Sequence, residues 1–315
     1  MYIVLGARVK NESAVNKLLE HGIDHKVYEA EKGLKNYSEK IIPEYIGYDN
    51  FFNLQFYKDK KIQKVINFRD QQNWLRIENE IAIDKDLPQK MNTDTMDFYC
   101  YKSVQHTLAE ELDIPVLEKE SDKMIVKLDT GYSGGDGFKV VKRSNYTPKA
   151  NEYTQRYIDI EYTIAVQAYA DLDAIMHPFC FHRMDYIDNN PTYCQVPYFG
   201  KETEQLIKYL EKLKTKIEIR DRLIFWQFVK ERNGNLYNLD FNCRPAGGFE
   251  TGTYDTLIGD CNVLDCYLGK TDMPEAITFD KQVQITYKYK QQFGYSPIDK
   301  EVIKVDKQLH EVKKI

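Results

Sequence analysis

The chain has 315 residues, of which 42% are hydrophobic, so it is long enough to bury more than one core without help from metals or disulfides. Its 44 basic and 49 acidic residues are interspersed and give a net charge of −5, which argues against nucleic-acid binding through a basic stripe. It has no signal-peptide pattern, no apolar run of membrane-spanning length and six cysteines without metal-binding spacing, so we expect a cytoplasmic protein with reduced thiols and no membrane partner.

The first part of the chain has the pattern of a doubly wound α/β lobe, in which strands and helices alternate. A glycine after the first helical run is typical of a helix C-terminus, and a proline ends the lobe. In chain order we predict a strand at 1–7, a helix at 12–21 closed by Gly22, strands at 25–31 and 64–70, a helix at 71–82, and a break at Asp86-Leu87-Pro88.

The second part mixes strands and helices without an internal repeat. The periodicity predicts one helix at 93–112 with Lys102 near its start, a strand beginning at Ile114-Pro115-Val116, a strand or strand pair at 154–170, and helices at 202–217 and 249–268. The last stretch, 281–315, is strand-like and then rich in lysine.

Residues 223–248 predict a β-hairpin that ends in a row of polar side chains. Two apolar runs are joined by Asn233-Gly234, a dipeptide suited to a tight hairpin turn. Because side chains alternate along a strand, Asp240, Asn242 and Arg244 share one face. Oxygen ligands beside a guanidinium suit a Mg²⁺-bound polyphosphate, although a solvated hairpin face has the same pattern.

A second phosphate signal lies upstream, at 124–142. An apolar strand that carries Lys127 runs into a glycine-rich loop, and an apolar strand follows. Backbone N–H groups in such a loop approach anions closely. The strand-loop-strand context excludes a Walker loop and a dinucleotide fingerprint, both of which open a helix. Two interpretations remain, a flap over phosphates and an ordinary hairpin. The loop residues are Gly131, Ser133, Gly134, Gly135 and Gly137.

The order of these parts resembles the ATP-grasp superfamily from residue 1 to about residue 275. The shared parts are the α/β lobe, a helix with an early lysine, a strand lysine before S-G-G-x-G, a hinge followed by an acid, and a hairpin that ends in acid-x-N-x-R. The resemblance implies an α/β (α+β) ATP-grasp fold in which a doubly wound lobe precedes two antiparallel-sheet subdomains that clamp ATP. We expect domains at 1–90, 91–154 and 155–315.

The resemblance also implies an ATP-dependent ligase that activates a small carboxylate as an acyl phosphate for attack by an amine. The implied ATP-binding residues are Lys102 and Lys127 at the phosphates, Ser133, Gly134, Gly135 and Gly137 in the flap, Gln155, Arg156, Tyr157 and Ile158 at the adenine, and Glu161 at the ribose. Each lysine taken alone would be read as a solvated surface residue.

The implied metal ligands are Asp240 and Asn242, with Arg244 stabilising the charge that develops in the reaction. Gln227 stands where the partner strand of the family supplies a second acid, so one negative charge is missing from a site that holds one or two Mg²⁺ ions, or Mn²⁺. Either one metal binds more weakly, another carboxylate substitutes, or catalysis is impaired.

The substrates are less well defined by the sequence. Arg183 is a candidate for gripping a carboxylate, with a structural salt bridge as the alternative. Gly247 and Gly248 lie in an R-P-x-G-G loop that resembles ATP-grasp enzymes joining amino acids, so we expect amino-acid-like carboxylate and amine substrates. Bicarbonate activation and an ATP-binding regulatory pseudoenzyme are the alternatives, and the resemblance makes a homodimer plausible.

Overall fold

The computed structural model describes most of the chain, with several gaps. The described residues are 1–6, 12–31, 41–69, 72–130, 138–187, 190–197, 200–242, 257–258, 261–274, 276–278, 281–289, 297–306 and 311–313. Among them, no helix has the length and apolar character that a membrane crossing requires.

The N-terminal lobe is built on a four-stranded parallel sheet with the order β3-β2-β1-β4. Val4 packs in one apolar cluster, whereas Ile3 and Leu5 pack in another, so β1 is covered on both faces as parallel strands require. The predicted doubly wound start is confirmed. Its elements are β1 Tyr2–Leu5, α1 Glu12–Glu20, β2 His25–Glu29, β3 Glu44–Tyr45, α2 Tyr48–Phe51, a 3-10 turn at Leu54–Tyr57, β4 Lys64–Asn67 and α3 Gln72–Asp84.

Two helices follow where the sequence predicted one at 93–112. They are α4, Thr93–Cys100, and α5, Lys102–Glu111, and they are separated by Tyr101 in an extended conformation. Tyr101 forms a bridge with Thr130, and the backbone N–H of Lys102 donates to the carbonyl of Asp129 at 2.9 Å. The prediction of a single helix was wrong because this contact comes from a segment distant in sequence.

The predicted strand at Ile114-Pro115-Val116 is also absent among the described residues. Only a single parallel bridge joins Val116 to Asn238, and the N–H of Asn238 donates to the carbonyl of Pro115 at 2.8 Å. Proline has no N–H with which to extend a strand ladder.

A three-stranded antiparallel sheet comes next, with β5 at its centre. Its strands are β5 Lys123–Leu128, β6 Phe138–Lys142 and β7 Glu152–Arg156. The strand pair predicted at 154–170 is confirmed as the end of β7 and the whole of β8.

The largest sheet is antiparallel, with five strands in the order β10-β9-β8-β11-β12. Its elements are β8 Ile160–Ala170, β9 Met176–Ile187, β10 Asn190–Pro197, α6 Lys201–Lys214, β11 Arg222–Glu231 and β12 Leu236–Asn242. Helix α6 covers one face, where Tyr209 packs on Phe228 with ring centroids 5.4 Å apart. The other face carries the polar row of β12.

Buried ion pairs join this sheet to the N-terminal lobe. Arg222 donates to Glu78 at 2.7 Å, and each side chain is only 3% exposed. Lys64 donates to Asp221 at 2.5 Å, also out of solvent. Asp221 directly precedes β11 and Arg222 begins it, so the two pairs fix that end of the sheet against the lobe.

The remaining described elements are six strands and one short helix, and the two longest strands, β16 and β17, pair antiparallel. Within the predicted helix at 249–268, the described residues are helical only at Val263–Tyr267, where the side chain of Asn262 accepts from the N–H of Leu264 and caps the helix. Residues 249–256 lie outside the described residues. The elements are β13 Leu257–Ile258, β14 Cys261–Asn262, α7 Val263–Tyr267, β15 Ala276–Thr278, β16 Lys281–Tyr289, β17 Pro297–Asp306 and β18 Glu311–Lys313.

Candidate active site

Two members of the predicted polar row, Asp240 and Asn242, lie on one face of the hairpin as predicted. Gln227 lies directly opposite Asp240, and Phe225 lies opposite Asn242, so all four side chains share the face of the sheet that α6 does not cover. The Nδ2 of Asn242 donates to Oδ2 of Asp240 at 3.2 Å. Gly234, with a φ of +95°, closes the hairpin turn.

A β-bulge in this hairpin determines which side chains of β12 lie on the same face as Gln227. Gln227 faces Asp240, but the next residue, Phe228, faces Asn238, which leaves Leu239 as the extra residue. The bulge turns Asn238 toward the covered face, where its side chain accepts from Nε1 of Trp226 at 2.7 Å. Asp240 therefore stays on the face opposite α6, at the edge of the sheet.

Lys102 reaches this row from the start of α5. Its Nζ donates to Oδ1 of Asp240 at 2.8 Å, and the two side chains are 10% and 17% exposed. The start of α5 is fixed by Asp129, which accepts from the N–H and the hydroxyl of Ser103, each at 2.7 Å. Sequence reasoning missed Asp129, because the sequence gives no local signal that a residue beyond β5 caps α5.

Lys127 completes a cluster with Lys102 and Asp240. Burial and repulsion from Lys102 lower the pKa of Lys127 to about 8. The negative charge of Asp240 acts in the opposite direction but is the smaller effect. Burial alone would raise the pKa of Asp240, but the two lysines outweigh it and hold that pKa below its usual value. The cluster thus sets two cationic groups against one carboxylate, a balance that suits an anionic phosphate chain.

Behind the lysines lies a pair of residues that sequence reasoning did not identify. His106 is one turn after Lys102 on α5, and Tyr153 lies opposite Lys127 on β7. The Tyr153 hydroxyl is 2.6 Å from Nδ1 of His106, whose Nε2 faces Glu110 at 3.3 Å. Burial lowers the pKa of His106, so the ring is neutral and accepts the hydroxyl hydrogen bond. This contact ties the two lysine-bearing elements together.

Of the residues predicted to contact adenine, Arg156 forms ion pairs, whereas Gln155 and Ile158 are buried. The Arg156 side chain is directed elsewhere, since it donates to Glu231 at 2.8 Å and to Glu118 at 2.6 Å. Gln155 and Ile158 are buried, and Ile158 packs with Leu117 in a small apolar cluster.

Backbone N–H groups of the segment 155–158 also form hydrogen bonds within the protein. The N–H of Arg156 donates to the backbone carbonyl of Glu118 at 2.7 Å, and that of Tyr157 donates to the carbonyl of Lys123 at 2.9 Å. Glu161 is half-buried and lies at a β-bulge, because Ile160 and Tyr162 take the paired positions on either side. The adenine and ribose roles of these residues stay predictions.

Arg183 is not brought together with the polar row. It pairs across the sheet with Ile164, on the face that α6 covers. Its guanidinium lies 3.8 Å from the ring centre of Tyr162 and donates to Asp185 at 2.6 Å. The salt-bridge alternative describes its contacts in this structure.

The neighbouring His182 instead lies on the same face as Gln227, where it is buried. Its ring stacks on Phe225, with centroids 5.9 Å apart and planes 13° apart, and its Nδ1 is 3.5 Å from Nε2 of Gln167. Because side chains alternate along a strand, only one of the neighbours His182 and Arg183 can lie on this face. The register between β8 and β9 decides that it is His182.

Several predicted site residues lie outside the described residues. They are Ser133, Gly134, Gly135 and Gly137 of the flap, together with Arg244, Gly247 and Gly248 after the hairpin.

The donors of the polar row fit one divalent cation. Asp240, Asn242 and Gln227 offer oxygen ligands, which Mg²⁺ prefers. Only one of the three carries a negative charge, and the described residues contain no group of three or more His, Cys, Asp or Glu side chains suited to a metal. How many ions bind there stays a prediction.

Comparison with solved structures identifies the fold. The chain is similar to N5-carboxyaminoimidazole synthetase from Staphylococcus aureus complexed with ADP, with a TM-score of 0.72 and 13% identity over 91% of this chain and 82% of that one. It is also similar to a biotin carboxylase from Campylobacter jejuni, with a TM-score of 0.67 and 13% identity over 99% and 92% of the two chains.

An L-amino acid ligase from Bacillus licheniformis is similar as well, with a TM-score of 0.63 and 13% identity over 92% of this chain and 82% of that one. The protein has the ATP-grasp fold, as the sequence predicted. No protein-family model and no curated protein sequence matches the chain.

Proposed function

We propose that the protein is an ATP-dependent ligase that joins a small carboxylate to an amine through an acyl phosphate. The observation that carries the proposal is the convergence of Lys102 and Lys127 on Asp240, in the edge strand of the five-stranded sheet. The similarity to an ADP-complexed structure supports a nucleotide at that place.

The reaction has two steps. A carboxylate oxygen of the first substrate attacks the γ-phosphorus of ATP, and the bond to the bridging oxygen breaks to release ADP. The amine nitrogen then attacks the acyl carbon, the bond to the phosphate oxygen breaks, and the amine loses a proton. Both steps gather charge on phosphoryl or acyl oxygens, so catalysis depends on positioned cations and hydrogen-bond donors.

Each part of the site has a role in this proposal. Lys102 and Lys127 hold the phosphates together with the glycine-rich segment 131–137, and Arg244 stabilises the developing charge. Asp240, Asn242 and Gln227 would hold a Mg²⁺ or Mn²⁺ ion, which neutralises charge on the phosphoryl oxygens when bound. Gln155, Ile158 and Glu161 contact the nucleoside.

The substrate class is argued from two observations. The sequence motif R-P-x-G-G, with Gly247 and Gly248, would give a substrate backbone close access, and one similar structure is an L-amino acid ligase. We therefore propose amino-acid-like substrates. The proposal also includes a cytoplasmic site of action and domains at 1–90, 91–154 and 155–315.

Two other functions have support from particular observations. Activation of bicarbonate is favoured by the similarity to a biotin carboxylase. ATP binding without turnover, in a regulatory role, is favoured by Gln227, which removes a charge from the metal site.

Phosphate release separates these functions. The protein is given ATP, Mg²⁺ and either a panel of amino acids in pairs or bicarbonate with an amine, and phosphate is measured with time. The ligase predicts release that requires both an amino acid and an amine. Release with bicarbonate alone supports the second function, and tight ATP binding without any release supports the regulatory one. Asp240→Ala is the inactive control, and Asp159→Ala, at an exposed position of the same sheet region, is the matched one.

A further inference from the structure

The side chain of Gln105 pairs with the backbone of β12 as a neighbouring strand would. Its Nε2 donates to the carbonyl oxygen of Phe241 at 3.0 Å, and the N–H of Phe241 donates to its Oε1 at 3.2 Å. One side-chain amide therefore binds both backbone groups of one residue, the same exchange that joins a hydrogen-bonded pair in an antiparallel sheet.

Strand β12 needs such a partner at this residue. It is an edge strand of the five-stranded sheet, and on its outer side no strand of the described residues pairs with it. Phe241 is 1% exposed, and the rings of Phe98 and Tyr99 pack on it with centroids 4.8 Å and 5.5 Å away. Without Gln105, a buried N–H and a buried carbonyl would lose their partner, which destabilises the fold.

The contact lies between two residues of the candidate active site. Phe241 separates Asp240 from Asn242 on β12. Gln105 is one helical turn after Lys102, on the same side of α5. Helix α5 therefore meets β12 at two successive residues, since Lys102 binds the Asp240 side chain and Gln105 binds the backbone of the next residue.

The two contacts differ in how closely they fix the helix. A lysine has a long, flexible stem, so the ion pair of Lys102 tolerates small movements of α5. The Gln105 amide binds two backbone atoms of one residue, and a movement of α5 along β12 would break both hydrogen bonds. Gln105 is therefore the contact that holds α5 at one position along the strand.

We infer that Gln105 is a positioning residue of the proposed nucleotide site. It sets where α5 lies along β12, and so places the Lys102 ammonium beside the polar side chains of that strand. Gln105 acts through Lys102. The inference rests on the proposed function, because the phosphate-binding role of Lys102 belongs to it.

Asn79 makes the same kind of contact in the N-terminal lobe and supplies a control. Its Nδ2 donates to the carbonyl oxygen of Met91 at 3.1 Å, and the N–H of Met91 donates to its Oδ1 at 2.7 Å. Asn79 and Gln105 are both buried. Replacing either amide by an apolar side chain of similar shape removes two hydrogen bonds from one backbone residue, but only Gln105 binds β12.

Gln105→Met is the test variant, and Asn79→Leu is its matched control. Both should lower the midpoint of thermal unfolding by comparable amounts. Calorimetry with a non-hydrolysable ATP analogue should show affinity about tenfold lower or more in Gln105→Met, the effect of weakening a hydrogen bond to a charged group, and wild-type affinity in Asn79→Leu. Wild-type affinity in Gln105→Met, or an equal loss in both variants, would overturn the inference.

A double-mutant cycle shows whether Gln105 acts through Lys102. In a protein that already carries Lys102→Gln, the change Gln105→Met should lower the affinity for the analogue by less than about twofold, because the group that Gln105 positions is gone. A loss as large as in the wild-type background would assign the effect to a general loosening of the site and contradict the inference.

Hydrogen exchange of the wild-type protein gives a result even if Gln105→Met does not fold. The N–H of Phe241 should exchange slowly, as in a paired strand, and exchange as fast as at a solvated edge would overturn the inference. Failure of the proposed function looks different. A wild-type protein that binds no nucleotide removes both, whereas equally tight binding by wild type and Gln105→Met removes only the inference.

Discussion

The ammonium of Lys102 and the carboxylate of Asp240 form a 2.8 Å ion pair although they are 138 residues apart in the sequence. One residue begins a helix and the other ends the edge strand of the five-stranded sheet. Their pairing brings the predicted phosphate-binding and metal-binding residues into one cluster, with Lys127 as the third charged member.

Asp240→Asn should separate the two roles of this pair. The change releases Lys102, so affinity for ATP measured in EDTA should stay the same or rise several-fold, while metal-dependent turnover falls by a factor of at least about 100. Calorimetry and phosphate release measure the two quantities. A large loss of metal-free ATP affinity would show that Asp240 supports the lysines and does not restrain them.

ATP affinity should depend on pH through Lys127. Its pKa is about 8 in the nucleotide-free protein, so the amine is charged below that pH and becomes neutral above it. Phosphate binds the charged form, and affinity should therefore fall as pH rises from 7 to 9. Titration calorimetry across this range measures the trend.

Lys127→Arg is the matched variant, because arginine stays charged throughout. Its affinity should remain flat over the same pH range. An equal fall in the two proteins would assign the pH dependence to another group.

Tyr153→Phe should weaken the alignment of the lysine-bearing elements. The change removes only the hydroxyl that contacts His106, at an expected cost of about 1 kcal/mol in unfolding free energy. We expect a raised KM for ATP with a smaller change in kcat. Tyr146→Phe, on the neighbouring loop of the same small sheet, is the control. Equal effects of both variants on KM would argue against a positioning role for Tyr153.

Arg222→Met should strongly destabilise the fold. It leaves Glu78 buried without its charge partner, and breaking such a pair costs about 3–5 kcal/mol. Chemical denaturation measures this loss. Arg76→Met breaks the exposed pair with Glu80 and should cost about 0.5 kcal/mol or less.

The double variant Arg222→Met with Glu78→Leu tests the reason for that loss. Replacing both charges by apolar groups removes the unpaired carboxylate, so it should recover much of the lost stability. A double variant as unstable as Arg222→Met would assign the loss to packing or to the Gln89 hydrogen bond of Arg222.

The sequence predicted the parts of the fold that are determined by contacts between residues close together in the chain. The N-terminal lobe follows from alternating apolar periodicity, and the hairpin follows from its Asn233-Gly234 turn. The same alternation placed Asp240 and Asn242 on one face, and the β-bulge at Leu239 did not disturb it, since it precedes both residues.

What the sequence did not reveal depends on distant contacts. The break at Tyr101 requires Asp129 and Thr130, and the strand at Pro115 is replaced by a bridge to Asn238. The faces taken by His182 and Arg183 depend on the pairing of β8 with β9. No periodicity within one segment carries that information.

Trapping of the acyl phosphate tests the central claim most directly. The protein is incubated with ATP, Mg²⁺, a panel of amino-acid carboxylates and hydroxylamine, and hydroxamate is measured beside phosphate. The account predicts that hydroxamate and phosphate form in equal amounts with at least one carboxylate, and that Asp240→Ala forms neither. Phosphate without hydroxamate, or no product from any carboxylate despite bound ATP, would contradict it.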